Sequence, residues 1–229
     1  MSKSIIWSLQ NQCPSLWIEK FNQLNYKTYH SPLIKLVLNK NKSNLIEQVA
    51  KYDTIIITSP FSAKNIVKVL KCKYNILTVG IKAREILQKF GHNIIYTANN
   101  SNDLANYISN NIHKNIMHPC SEQSNNKLWP SNVVAYPFYK PIENYNFNIS
   151  EIELSSKSLI VIGSPSAAKI LFKKKCNLYD INIATMGRIF KDNLTSHNLK
   201  KIIIPQSSTT DSLCNSIYNY IKQAKYEKE

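Results

Sequence analysis

Three segments of this chain occur twice, in the same order, about a hundred residues apart. The apolar run Thr54-Ile55-Ile56-Ile57-Thr58-Ser59-Pro60-Phe61-Ser62-Ala63 returns as Leu159-Ile160-Val161-Ile162-Gly163-Ser164-Pro165-Ser166-Ala167-Ala168. Further on, Ile76-Leu77-Thr78-Val79-Gly80 is matched by Ile183-Ala184-Thr185-Met186-Gly187. A third pair sets Ile94-Ile95-Tyr96 and Asp103-Leu104 against Ile202-Ile203-Ile204 and Asp211-Ser212-Leu213. One such match is plausible by chance; three in sequence order indicate an internal duplication.

Each copy reads as a buried strand feeding a helix, because a short continuous apolar run is followed at once by Ser-Pro, a helix-start pair. Strands alternating with helices over short connections predict a parallel sheet covered by helices on both faces. The duplication therefore predicts two α/β domains of flavodoxin-like or Rossmann-like character. In such sheets ligands sit beyond the carboxyl ends of the strands, and the expected site is a cleft between the two domains. Helical patterns are expected over 15–24, 82–90, 103–112, 189–194 and 211–224. Pro32 to Leu38 reads as an extended link. A second link, Val133 to Pro141, carries two prolines and is expected to be a connector rather than an inner strand. The polar stretch 121–131 reads as a surface loop.

With 43% apolar residues in 229, the chain can bury a real core. No apolar run approaches the length of a membrane helix, and the first residues carry no signal-peptide core, so a cytoplasmic protein is expected. None of the 4 glycines sits in a phosphate-cradling pattern, so no nucleotide cofactor is expected. The 5 cysteines are odd in number and widely spaced, and the histidines are as scattered; free thiols and no metal are expected. Lys and Arg number 29 against 14 acidic residues, a formal net charge of +15. Lysine excess beside abundant asparagine fits either codon bias in an AT-rich genome or a field that steers an anionic partner to the surface. Only Arg84 and Arg188 are arginines, whereas a DNA reader favours arginine for bidentate base contacts.

The two apolar-Ser-Pro-x-x-Ala units, each followed by a strand ending in Gly, and a Tyr in a proline-flanked link together resemble the uroporphyrinogen-III synthase family. The resemblance runs roughly from Ile5 to Ile221. It implies two flavodoxin-like domains joined by a two-stranded link, with the first strand and helix packing in the C-terminal half. The implied boundaries are 1–33 with 142–229 for one domain and 38–132 for the other, with links at 34–37 and 133–141. The implied reaction needs no cofactor: hydroxymethylbilane, a linear tetrapyrrole, loses its hydroxyl as water, its last ring is inverted through a spiro intermediate, and the macrocycle closes as uroporphyrinogen III.

The resemblance also implies site residues. Tyr136 matches the link tyrosine and is the candidate for protonating the leaving hydroxyl, with Tyr139 as the alternative register. The substrate bears eight carboxylates, which suits helix N-termini and hydroxyls. Ser59, Ser62, Ser164 and Ser166 stand at such helix starts, either as N-caps or as direct contacts. Lys82 and Arg188 follow the two strand-end glycines and are expected to pair with carboxylates. Ala83, Ile189 and Phe190 depart from the family, which often has Thr at these helix starts. A monomer acting on a small molecule is implied, with at most a transient contact to the preceding pathway enzyme and no nucleic acid or membrane. The alternatives are a non-catalytic duplicated module binding a small acidic ligand, or a nucleic-acid binder suggested by charge alone.

Overall fold

In the computed structural model the described residues are 3–39, 42–147, 155–173, 181–186, 201–207 and 209–226. The chain divides into two compact units, Met1–Lys35 with Ile142–Glu229, and Leu36–Pro141.

The first unit is a five-stranded sheet made from β1 (Lys3–Trp7), β2 (Tyr26–His30), β9 (Leu159–Ile162), β10 (Asn182–Thr185) and β11 (Lys201–Ile203), in the order β11-β10-β9-β1-β2. Every neighbour is parallel, with Ile5 opposite Leu159 and Ile183 opposite Ile160. Among the described residues three helices belong to it: α1 (Ser15–Gln23), α6 (Pro165–Lys173) and α7 (Thr210–Tyr226). On one face Ile5, Trp7, Leu159 and Val161 pack with Trp17 and Phe21 of α1 and with Leu213, Ile217 and Ile221 of α7. The opposite pleat, Ile6, Ile160 and Ile162, is just as buried, and α6 buries Ala167, Ala168 and Leu171. A strand buried on both faces needs apolar residues at successive positions, which is why its sequence runs rather than alternates.

The second unit holds six strands in the order β3-β8-β7-β4-β5-β6: β3 (Ile34–Leu38), β4 (Thr54–Ile57), β5 (Asn75–Val79), β6 (Asn93–Ala98), β7 (Ile116–Ser121) and β8 (Val133–Glu143). Ile55, Ile57, Ile76 and Met117 face α2 (Lys42–Val49), α3 (Pro60–Ile66) and α4 (Ile81–Lys89). Ile56, Leu77 and Ile116 face α5 (Ser101–Asn111). A 3-10 turn over Asn126–Leu128 interrupts the polar loop after β7.

The fold is the expected α/β with two parallel-dominated sheets. The links differ from expectation in one respect. Val133 to Pro141 lies within an eleven-residue strand between β3 and β7, not in a bare connector. Pro137 is tolerated because the β7–β8 register shifts between Cys120 and Ser121, next to it; at such an irregularity a ladder donor is dispensable. The carbonyl of Pro137 still accepts a 3.2 Å bond from the Asn39 side chain. The expected helix at 189–194 lies outside the described residues.

Candidate active site

Each sheet reverses its winding once. From β4 the chain moves outward through β5 and β6, then returns to the other side of β4 as β7 and β8. In the other unit β9 leads outward to β10 and β11, while β1 and β2 flank it on the opposite side. These reversals, β4/β7 and β9/β1, open the crevice at the carboxyl ends where α/β sheets take ligands.

At the β4/β7 reversal Thr58 and Ser59 follow the last buried isoleucine. Ser59 is the N-cap of α3, its Oγ accepting from the Ser62 amide at 3.0 Å, with Pro60 in the first helical turn. The same Oγ is 3.1 Å from the Tyr139 hydroxyl, and the Phe61 and Tyr139 rings are 4.9 Å apart. Ser62 is buried and donates its hydroxyl to the Pro119 carbonyl at 3.1 Å, tying α3 to β7. Thr58 Oγ1 lies 3.3 Å from Nε2 of His118, whose ring meets Trp129 edge-on at 4.8 Å. Burial holds the His118 imidazole down at about 4, so it is neutral near pH 7.

The two link tyrosines are unlike each other. Tyr139 is buried against the α3 side of the sheet, and burial pushes its phenol up, partly offset by the Ser59 bond. Tyr136 is half-buried at the edge of the same cluster.

Beyond β5, Gly80 takes φ +79, a conformation that side chains rarely adopt, and turns the chain into α4 with no side-chain cap. The first-turn amides of α4 are therefore free for an anion. Lys82 is exposed in that turn, while Ala83 faces the core.

The β9/β1 reversal is built similarly. Ser8 Oγ donates to the Val161 carbonyl, closing the strand ends. Ser164 caps α6, accepting from the Ala167 amide at 3.2 Å, and its Oγ is 3.0 Å from that of Ser166; both serines are half-buried. At the start of α7, Thr209 Oγ1 accepts from the Ser212 amide at 3.2 Å and meets Ser207 Oγ at 3.2 Å. Arg188 lies outside the described residues.

The family model described as uroporphyrinogen-III synthase HemD matches residues 15–215. The chain belongs to the uroporphyrinogen-III synthase family. The fold agrees. A uroporphyrinogen-III synthetase from Helicobacter pylori superposes with a TM-score of 0.67 at 11% identity, covering 95% of this chain and 99% of that one. A mutant uroporphyrinogen III synthase from Thermus thermophilus gives 0.65 at 13% identity, covering 99% and 100%. An uncharacterized protein of Rickettsia prowazekii is 30% identical over 122 residues, or 53% of this chain; the match spans only 42% of that relative's length.

Within this synthase fold, sequence reasoning placed Ser59, Ser164 and Ser166 at helix starts. It missed Thr58 and His118, which meet only because β4 and β7 become neighbours, and it missed the Ser207–Thr209–Ser212 hydroxyl cluster. The hydroxyl-rich stretch Ser207-Ser208-Thr209-Thr210 ahead of an apolar helix was the available signal for the last.

Proposed function

We propose that this chain catalyses the reaction its family is named for, closing hydroxymethylbilane to uroporphyrinogen III with inversion of the last ring and release of water. The observation that carries the proposal is the family match over residues 15–215. The hydroxyl-lined carboxyl ends of both sheets suit a polycarboxylate.

In this reading the Tyr136 hydroxyl donates the proton that lets the substrate hydroxyl leave as water. A phenol does this without bringing a charge of its own to the forming cation. Ser59, Ser164, Ser166 and the free first-turn amides of α4 receive carboxylates, Lys82 and Arg188 pair with others, and Ser62 backs them by fixing α3 to β7. Holding a reactive linear substrate in a curled geometry supplies much of the acceleration, since orientation alone can be worth about 7–11 kcal/mol. Tyr139 is the second candidate acid; its hydroxyl bond to Ser59, at the switch point, favours it.

The test feeds hydroxymethylbilane to the purified protein and resolves the two uroporphyrinogen isomers. Spontaneous closure gives isomer I, so formation of isomer III is the expected result. Isomer I alone, at the rate seen without protein, overturns the proposal and leaves a binding module.

A further inference from the structure

We propose that His118 is a positioning residue: its Nε2–H holds the Thr58 oxygen, so that the Thr58 hydroxyl proton is turned out to a substrate carboxylate. This contact serves the ring-closing reaction proposed above and rests on that reading. Thr58 Oγ1 and His118 Nε2 are 3.3 Å apart at the carboxyl ends of the neighbouring strands β4 and β7. With Ile55 opposite Met117, strand alternation puts Ile56 and Thr58 of one strand and Ile116 and His118 of the other on the α5 face, away from Tyr139. His118 is 2% exposed and its ring is met edge-on by Trp129 at 4.8 Å, whereas Thr58 is only half-buried.

A buried imidazole is a costly way to fill this place, because an apolar side chain has no polar atoms to satisfy. Nδ1 of His118 is buried and has no hydrogen-bond partner among the described residues, and such a group calls for a reason. The same atom decides where the proton sits. Burial keeps the ring neutral, so one nitrogen carries a hydrogen and the other a lone pair.

A proton on Nδ1 would bury an N–H with no acceptor, and Thr58 would have to give its one proton to Nε2. A proton on Nε2 leaves only an unmatched lone pair at Nδ1, which protein interiors tolerate more readily than an orphaned N–H. The Nε2–H then donates to Thr58 Oγ1, and the threonine proton is left over. A hydroxyl has a single proton and two lone pairs, so the bond to His118 converts Thr58 from a group that could accept or donate into one set to donate. It stands where the β4/β7 reversal opens the crevice, and a carboxylate is the acceptor that such a donor suits. An apolar residue at 118 would fill the same space and leave the hydroxyl unoriented.

The test has two arms. Nitrogen-15 NMR of the unsubstituted protein reads the tautomer, with the His118 signals identified by their loss in His118→Gln. A protonated Nε2 and a bare Nδ1 are expected; a proton on Nδ1 overturns the proposal. The second arm titrates uroporphyrin I, an octacarboxylate macrocycle already closed, by fluorescence, and measures KM and kcat for isomer III formation. Thr58→Val and His118→Leu are each expected to weaken uroporphyrin binding and raise KM about 10–100-fold, the effect of losing one hydrogen bond to a charged group. kcat is expected to hold, because the carboxylate is bound alike in ground and transition states. His118→Gln, whose amide can donate from the same place, is expected to recover most of the affinity. The double variant of Thr58→Val with His118→Leu is expected to bind no more weakly than Thr58→Val alone, since both changes remove one interaction. Losses that add, or unchanged binding and KM in Thr58→Val, overturn the proposal. A wild type that gives isomer I alone, yet binds uroporphyrin with this ranking of variants, sinks the catalytic reading and leaves the carboxylate contact standing.

Discussion

Tyr136 and Tyr139 sit three residues apart on one strand in different surroundings, one half-buried and one bonded to Ser59. If Tyr136 is the acid, Tyr136→Phe lowers isomer III formation by about 10²–10⁴ while the melting temperature holds, because the ring and its packing remain. Tyr139→Phe then costs about tenfold at most, the worth of one neutral hydrogen bond. The reverse ranking in the same assay assigns the proton to Tyr139. Burial of His118 carries a separate consequence. An unfolded histidine protonates near pH 6.5, whereas the folded imidazole resists protonation until about 4. The unfolded chain therefore binds the extra proton between these values, so His118 contributes stability above pH 6.5 that is lost as pH falls toward 4, about 3 kcal/mol in all. Urea unfolding at pH 7 and at pH 4.5 measures the drop, and His118→Gln is expected to shrink it.

Among the elements, the turn into α4 depends on a glycine for its backbone conformation. Gly80→Ala places a β-carbon on a backbone at φ +79, and although no atom stands within 4 Å, the conformation itself is strained. A cost of about 1–3 kcal/mol is expected, read as a fall of several degrees in melting temperature. Elements with a strong local pattern are legible in the sequence: the Ile55-Ile56-Ile57 strand, the Ser-Pro helix start after it, and the amphipathic α1 and α5. Those decided by distant partners are not. β7 carries His118, Pro119 and Cys120, residues that no local scale assigns to a buried strand, and it is recruited by pairing with β4 and β8. β8 reads locally as a connector because of Pro137 and Pro141. The site follows the same division, for Ser59 announces itself as a cap, while its bond to Tyr139 spans 80 residues of chain.

At the scale of the whole molecule, the duplication is also a rearrangement. β7 beside β4 plays the part that β1 plays beside β9, yet β7 follows its repeat in the chain and β1 precedes everything. The first unit is therefore assembled from both ends of the chain around a contiguous second unit. A polypeptide of residues 32–145, which keeps β3 and β8 whole, is expected to fold alone, giving a cooperative melt by circular dichroism. Residues 142–229 are expected to stay unfolded, since β1 lies between β9 and β2 and supplies Ile5, Ile6 and Trp7, all fully buried. A cooperative melt from the 142–229 piece contradicts this account of the core.

That central place of β1 has a bearing on synthesis. Ile5, Ile6 and Trp7 leave the ribosome roughly 150 residues ahead of the strand they pair with through Leu159, Ile160 and Val161. At ordinary elongation rates the interval is about 8–30 s. During it the second unit has time to fold, while β1, with three fully buried apolar residues, has only β2 and α1 for shelter. The nascent chain thus carries an uncovered adhesive segment through that interval, which makes β1, rather than the repeats, the place where misassembly starts.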